Sequence, residues 1–497
     1  MTLRGSRRYT LGPMNHSAKI RDALLLLALT FAAIAVHGYH YGVQDQFLYV
    51  PAIKQHVDAG LYPRDAGFFQ VHTQAMLFDD LVALSMRASG LPADWAVFLW
   101  HLLSLYLLLF ACFRVSQRCF KDRRARWAAT VSVAVMLTLE VAGTLLFLAD
   151  PYLHPRTLAT AAVLLALAAV LDRGWAALPW VGLAALVHPT MAAAGALHLV
   201  FLAWRPRWAA LAAGLLPLAV LGGGNEAWRE VLATRWYLFP LGWPWYAWLG
   251  VVVPLGLLAW FARLQQGPEQ ERTGPVSHIS RRLMGSGLVG VAAGIAVSVT
   301  PGLERLIPAE PMRTLHLFTL MTVLLGGGLL GERFLRERVA RWALVFLPLC
   351  AAMFLPQMFY LYPSSPHVEW PGRVARNDWV QAFEWVRLNT PRDAYFALGP
   401  RYQEADGEDF HSFRALAERS ALADYSKDRG VVANWPELAP AWREQVRDRD
   451  GWENFGAADF ARLREKYGVT WAVVESSHDA GLECPYRNDA VRVCRIP

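Results

Sequence analysis

The sequence predicts an all-α polytopic membrane bundle of about eleven spans, followed by a C-terminal α/β domain. The 497-residue chain is 55% hydrophobic and only 18% charged, with a mean hydropathy of +0.24. A soluble protein of this length would contain less apolar sequence and more charge. The apolar excess lies in runs of membrane-spanning length, and the basic residues gather on alternate connectors between them. Both patterns are typical of membrane insertion.

Apolar runs mark the spans, each of which needs about 20 residues, or fewer where a helix is partly buried in protein. The first run, from Asp22 to about Tyr39, lacks the small-residue cleavage site of a secretory signal, so we expect it to be retained. Residues 1–361 then form the membrane domain, in which 40–93 is the first long connector. The predicted spans are roughly 22–40, 94–113, 127–148, 157–171, 175–188, 190–204, 208–223, 245–262, 283–300, 315–331 and 342–361.

The connectors divide into an Arg-rich set and an Arg-poor set, which predicts the orientation of the chain. The Arg-rich connectors hold 22 Lys and Arg residues and the Arg-poor connectors hold 8. Because basic connectors stay inside, the N-terminus is predicted to lie inside and, after an odd number of spans, the C-terminus outside. The net charge of +7 by itself would suggest nucleic-acid binding, but the basic residues cluster at span ends on alternate connectors, as membrane insertion requires. Membrane lipid is therefore the predicted partner rather than nucleic acid, and the sequence leaves protein partners open.

The tail, residues 362–497, is rich in charged and polar residues and alternates helix and strand patterns. Residues 377–388 form an amphipathic pattern with Trp379, Phe383 and Val386 on one face. A second helix is predicted over 458–466, where Gly468 ends it. Strands are predicted over 395–398, 470–475 and 491–495. This alternation predicts a small α/β domain on the outside.

Two cysteines of the tail, Cys484 and Cys494, are too few for a zinc site without suitably spaced histidines. In an oxidising compartment they could form one disulfide that closes a hairpin around 487–489. The other three cysteines fall in or near spans and are interpreted as packing residues.

Several Arg-poor connectors hold charged groups that membrane insertion alone does not require. In the first connector, segments 49–56 and 68–84 are predicted to lie on the membrane surface as amphipathic helices. Arginine binds phosphate oxygens in bidentate fashion, and a carboxylate can take a proton from a hydroxyl. Each candidate also has a structural interpretation, as a helix cap or a snorkelling arginine. The candidates are Gln44, Asp45, Arg64, Asp150, His154, Arg156, His188, Arg313 and His316.

This arrangement resembles the GT-C superfamily of membrane glycosyltransferases. The segment 41–45, Tyr-Gly-Val-Gln-Asp, occupies the place after the first span where that family carries a catalytic acid. The resemblance implies catalytic roles for Asp45 and Asp150, and a lipid-phosphate contact for Arg313. It also implies a bacterial inner-membrane protein with a periplasmic site and a polyprenyl-phosphate-linked sugar donor. The segment 413–420, followed by Lys427, is similar to stretches in the tails of bacterial members.

The metal requirement is open at this point. Asp45 stands between Gln44 and Gln46 rather than in an Asp-x-Asp pattern. A divalent cation and a metal-independent transfer with Asp45 as the base are therefore equal alternatives.

Two other functions compete with sugar transfer. A transporter or flippase for a lipid-linked or anionic solute would show repeats and helices broken at mid-membrane, neither of which is evident in the sequence. A non-catalytic membrane scaffold is the third interpretation.

Overall fold

The computed structural model describes residues 16–172, 174–203, 224–264, 274–373, 377–404, 409 and 411–497. Most of the chain up to residue 361 is helical. Its helices are α1 His16–His37, α2 Gln46–Val57, α3 Gly67–Thr73, α4 Phe78–Ser89, α5 Ala93–Cys119, α6 Arg123–Val135, α7 Pro155–Asp172, α8 Leu178–Val187, α9 Pro189–Ala203, α10 Glu226–Ala233, α11 Leu249–Leu264, α12 Pro275–Val299, α13 Thr314–Leu330 and α14 Val339–Pro356.

Six helical segments in the described part of the chain are long and apolar enough to cross a membrane. They are His16–His37, Ala93–Cys119, Pro155–Asp172, Pro275–Val299, Glu304–Leu335 and Val339–Leu361. Three shorter apolar segments, Gly174–Val187, Pro189–Ala203 and Leu249–Leu264, match further predicted spans. The chain is thus a helical bundle compatible with a multi-pass membrane protein, whereas the count of eleven stays a prediction. The predicted span at 208–223 lies outside the described residues.

The predicted span at 127–148 is wrong over its second half. The helix ends at Val135, and Glu140 then pairs with Phe147 in an isolated bridge. Several of the apolar residues that follow the helix, including Val141 and Leu148, are fully buried, although Leu145 is exposed. They fill the interior of the bundle, where apolar sequence is as favourable as in lipid, and the backbone there bonds locally, as in Val141 N–H to the Leu146 carbonyl at 2.7 Å. Hydrophobicity alone therefore does not separate this segment from a span.

The first connector contains α2, α3 and α4, but α2 does not lie on a membrane surface as predicted. Every residue from Gln46 to Lys54 is buried. The C-terminal domain covers this helix, so its polar positions find protein partners instead of water or headgroups. Lys54 Nζ, for example, donates to the Ala415 carbonyl at 2.7 Å and contacts Glu418 at 2.6 Å.

The C-terminal domain is a five-stranded sheet with helices, as the alternation predicts. Its strands have the order β2-β1-β3-β5-β4, in which β1 pairs parallel with β2 and β3, and β5 pairs antiparallel with β3 and β4. Its helices are α15 Asp378–Asn389, α16 Phe413–Ala417, α17 Asp428–Asn434, α18 Ala439–Arg447 and α19 Ala457–Tyr467. Its strands are β1 Tyr395–Leu398, β2 Ser420–Ala421, β3 Trp471–Glu475, β4 Glu483–Arg487 and β5 Val491–Arg495.

Local signals in the tail sequence position these elements. The Asn377 side chain accepts a hydrogen bond from the Val380 N–H and caps α15, and Gly468, at φ +76°, ends α19. The predicted disulfide is confirmed: Cys484 on β4 is bonded to Cys494 on β5.

Buried polar contacts fix the C-terminal domain onto the first connector. The Arg414 guanidinium donates to Asp65 at 2.6 Å and to both oxygens of Asp428 at 2.8 and 2.9 Å, and all three side chains are buried. The Tyr62 hydroxyl donates to the Arg414 carbonyl at 2.8 Å. Because a buried cation without its carboxylates is strongly destabilising, this network holds the domain at the end of the bundle that carries Asp45.

Candidate functional site

Asp45 lies at the turn that joins α1 to α2. Gln44 at φ +50° and Gly42 at φ +73° make this turn tight, and the Gln46 side chain closes it by accepting the Gly42 N–H at 2.6 Å. Asp45 occupies the N-cap position of α2, but its side chain makes no cap hydrogen bond. The carboxylate is therefore directed away from its own helix and is available for other contacts.

Three parts of the chain that are distant in sequence meet at the Asp45 carboxylate. Lys427 Nζ, from the C-terminal domain, contacts Oδ1 at 3.0 Å, and it also donates to Gln44 Oε1 at 2.8 Å. His154 Nε2, from the second Arg-poor connector, lies 3.3 Å from Oδ2. The Asp45 side chain remains 34% exposed. A small molecule can therefore reach a carboxylate that two protein groups already orient.

The charges around Asp45 favour its ionised form. Burial acts to raise the pKa of Asp45, but Lys427, the hydrogen bond from His154 and the positive charge of Arg156 outweigh it and hold the pKa well below its usual range. The carboxylate is consequently ionised at neutral pH.

His154 is fixed as a neutral donor by its two neighbours. Its Nδ1 accepts the Arg156 N–H at 3.0 Å, so the ring proton is on Nε2 and points at Asp45. Burial and Arg156 lower the pKa of His154 against the opposing effect of the carboxylates. The His188 ring stacks on it with centroids 5.8 Å apart, and the edge of Tyr49 packs at 5.1 Å.

Asp150 and Arg156 form a buried pair beside the site. Arg156 Nη2 lies 2.7 Å from each oxygen of Asp150, and the two residues are only 4% and 3% exposed. Asp150 thus faces Arg156 rather than open space. This pair places a positive charge near Asp45 without exposing a second carboxylate.

Two further arginines extend the positive region on the same side. Arg313 Nε contacts Glu310 at 2.8 Å, and Arg235 is close enough to Glu310, Arg313 and Asp45 to interact with their charges. Burial lowers the pKa of Arg235 to about 10, which leaves it charged at neutral pH. His316 lies deeper, where its Nε2 is 3.1 Å from the Leu148 carbonyl. The sequence did not single out Arg235, because its connector reads as an aromatic interface segment.

Arg64 is not brought to this cluster. Its guanidinium packs over the Tyr395 ring at 5.6 Å, and its backbone N–H donates to Ser420 Oγ at 3.3 Å. It belongs to the contact between the first connector and the C-terminal domain. Lys427, in contrast, was expected only as part of a tail similarity, and the structure puts it against Asp45.

Among the described residues, no group of three or more His, Cys, Asp or Glu side chains has an arrangement that could hold a metal ion. The oxygens of Asp45 contact Lys427 and His154, and those of Asp150 contact Arg156. Carboxylate–cation pairs are therefore the main interactions at this site.

No family model matches this chain, and no curated protein is similar enough to count as a relative. The fold and the site by themselves define a mostly helical protein that is compatible with multiple membrane passes. It carries a partly exposed, ionised carboxylate beside a positively charged region at one end of its bundle.

Proposed function

We propose that this chain is a polyprenyl-phosphate-sugar-dependent glycosyltransferase of the GT-C type, acting at the periplasmic face of a bacterial inner membrane. The observation that carries the proposal is the state of Asp45. It is ionised, partly exposed and free of its helix cap. Lys427 contacts it, the charges of Arg156 and Arg235 act on it, and Arg313 lies near Arg235. Such a site combines a base for a hydroxyl with cations for a phosphate.

In the proposed reaction the acceptor hydroxyl oxygen forms a bond to the anomeric carbon of the donor sugar. The bond from that carbon to the phosphate oxygen breaks, and polyprenyl phosphate leaves with the electron pair. The acceptor proton passes to Asp45. His154 orients the carboxylate, and Lys427, Arg235 and Arg313 stabilise the charge of the leaving phosphate.

Lys427 has a double use in this scheme. It occupies Asp45 Oδ1 in the present structure, so the acceptor must displace it. Its side chain is 20% exposed and carries a mobile ammonium group that can turn towards a phosphate. Donor binding would then free the base for the acceptor.

The proposal predicts that Asp45→Asn removes transfer without removing lipid binding. The change keeps shape and polarity but eliminates the proton acceptor, so the rate should fall about 100-fold or more. The measurement is transfer of labelled hexose from a panel of polyprenyl-phosphate hexoses into the membranes of cells that overproduce the chain. Binding of farnesyl phosphate to the purified variant serves as the test of integrity.

Asp80→Asn is the matched control, because Asp80 lies on the same connector, is 53% exposed and, within the described residues, forms its ion pair with His56. It should transfer at the wild-type rate. Full activity of Asp45→Asn would refute the catalytic assignment. Vesicle exchange of the labelled donor without covalent transfer would support a transporter instead.

A further inference from the structure

A cavity of about 870 Å³ lies between the first connector, the start of α5, the 365–373 segment and the C-terminal domain. This volume is within the range of small-molecule sites, which is about 300–1,000 Å³. Asp45, Lys427 and His154 do not line it. The cavity is therefore separate from the carboxylate cluster, although Tyr41 in its wall is only four residues from Asp45 in sequence.

Two buried hydrogen-bonding groups in the wall lack a protein partner. The Tyr39 hydroxyl, on a residue with no exposed surface, and Asn377 Nδ2, on a residue that is 3% exposed, make no hydrogen bond within the described part of the chain. Buried polar groups are nearly always bonded, because leaving one unpaired costs about 1–3 kcal/mol. Both residues border the cavity, so a polar ligand or water that enters it can satisfy these groups once the side chains that cover them shift.

The other lining residues define the chemistry of that ligand. Trp95 and Trp370 are 40% and 47% exposed, and with the partly buried Tyr41 they present apolar ring surface to the cavity. The wall holds four carboxylates and three basic side chains, whose charges almost balance. A strongly charged ligand would therefore gain little binding free energy from electrostatic attraction. The charged lining residues are Asp94, Glu369, Glu384, Glu418, Lys54, Arg373 and Arg387.

We propose that this cavity binds a saccharide. Ring faces of aromatic residues pack on the C–H faces of a sugar, while carboxylates accept hydrogen bonds from its hydroxyl groups, and Tyr39 and Asn377 donate to its oxygens. The use of the bound saccharide as the acceptor rests on the proposed function, but its binding does not. The saccharide could be free or the headgroup of a glycolipid, because both present the same hydroxyl groups.

The test uses the full chain in phosphatidylcholine nanodiscs, with maltose, cellobiose and N,N′-diacetylchitobiose as probes, each also as its alkyl glycoside. At least one sugar should give ligand-detected NMR saturation transfer. Tyr39→Phe and Asn377→Asp should each weaken that binding by about 5-fold, the effect of one hydrogen bond. Both variants should fold, because the Tyr39 hydroxyl has no partner in the described residues and Asp retains the capping oxygen.

Trp175→Ala is the control and should bind as wild type, since Trp175 is 74% exposed and outside the cavity. Preference for the alkyl glycosides identifies a glycolipid headgroup, and equal binding of the free sugars identifies a soluble saccharide. No binding of any probe at about 10 mM, or unchanged binding in both cavity variants, overturns the proposal. Saccharide binding without any labelled transfer would reject the proposed function and leave this site standing.

Discussion

Lys427 is the residue that most directly sets the chemistry of Asp45. Burial raises the pKa of Asp45, and Lys427 is the largest of the effects that lower it. Removing the ammonium group while keeping the side-chain length should therefore raise the pKa of Asp45. We predict that Lys427→Met moves the acidic limb of the pH–activity profile to higher pH, because the base is protonated earlier as pH falls. The measurement is transfer rate against pH for variant and wild type.

Lys466→Met is the control for this experiment. Lys466 is 41% exposed and pairs with Glu444 and Asp448 within the C-terminal domain. Its loss changes the net charge equally but leaves Asp45 with its partners, so the acidic limb should not move. If the acidic limb of the pH–activity profile does not shift in Lys427→Met, Lys427 does not control the ionisation of Asp45.

At the scale of the elements, close packing of α6 against α13 depends on glycine. A Cβ on Gly327 would lie 2.2 Å from Ser132 Oγ and 2.9 Å from the Ala128 carbonyl oxygen. Glycine lets helix backbones approach in this way within a membrane bundle. We predict that Gly327→Ala lowers the thermal unfolding temperature, because overpacking costs about 1–3 kcal/mol and exceeds the helix-propensity gain of about 1 kcal/mol. The measurement is unfolding in detergent.

Gly256→Ala in α11 is the matched substitution. A Cβ on Gly256 meets nothing within 4 Å, so only the propensity gain remains and the unfolding temperature should stay or rise. An equal response of the two variants would mean that the contact between α6 and α13 does not limit stability.

The elements that sequence predicted well are those whose signal is local. Strands β1 and β5 match the predicted limits, and α15 and α19 match to within a residue or two, since apolar periodicity, Asn377 and Gly468 mark them. Strand β4 was implied only by the predicted hairpin and was given no limits, because it lies at the sheet edge and contains Pro485, which sequence rules count against a strand. Strand β2 has only two residues, too few for any pattern.

At the scale of the whole molecule, sequence could assign the site residues to one side of the bundle but not bring them into contact. Asp45 and His154 were both expected on that side, and the structure joins them. The contact of Asp45 with Lys427 spans 382 residues and depends on how the C-terminal domain docks, which no local pattern encodes. The same docking places Arg64 against Tyr395, away from Asp45. Assigning residues to one side of the membrane therefore predicted more site residues than the structure brings together.

Val43 of the first connector pairs with His411 of the C-terminal domain, and Tyr39, just before the connector, pairs with Val368. The first connector and the C-terminal domain therefore lie at the same end of the bundle. The Arg-rich connectors meet at the other end, where Arg123 contacts Asp22 at 2.7 Å beside the start of α1. The excess of basic residues predicts that this second end faces the cytoplasm.

Alkaline phosphatase fused after Pro497 should be active and a fluorescent protein there dark, whereas fusions after Lys121 should give the opposite result. A fluorescent C-terminal fusion would reverse the orientation, and it would place Asp45 on the cytoplasmic side, away from the periplasmic donor that the proposed transfer requires.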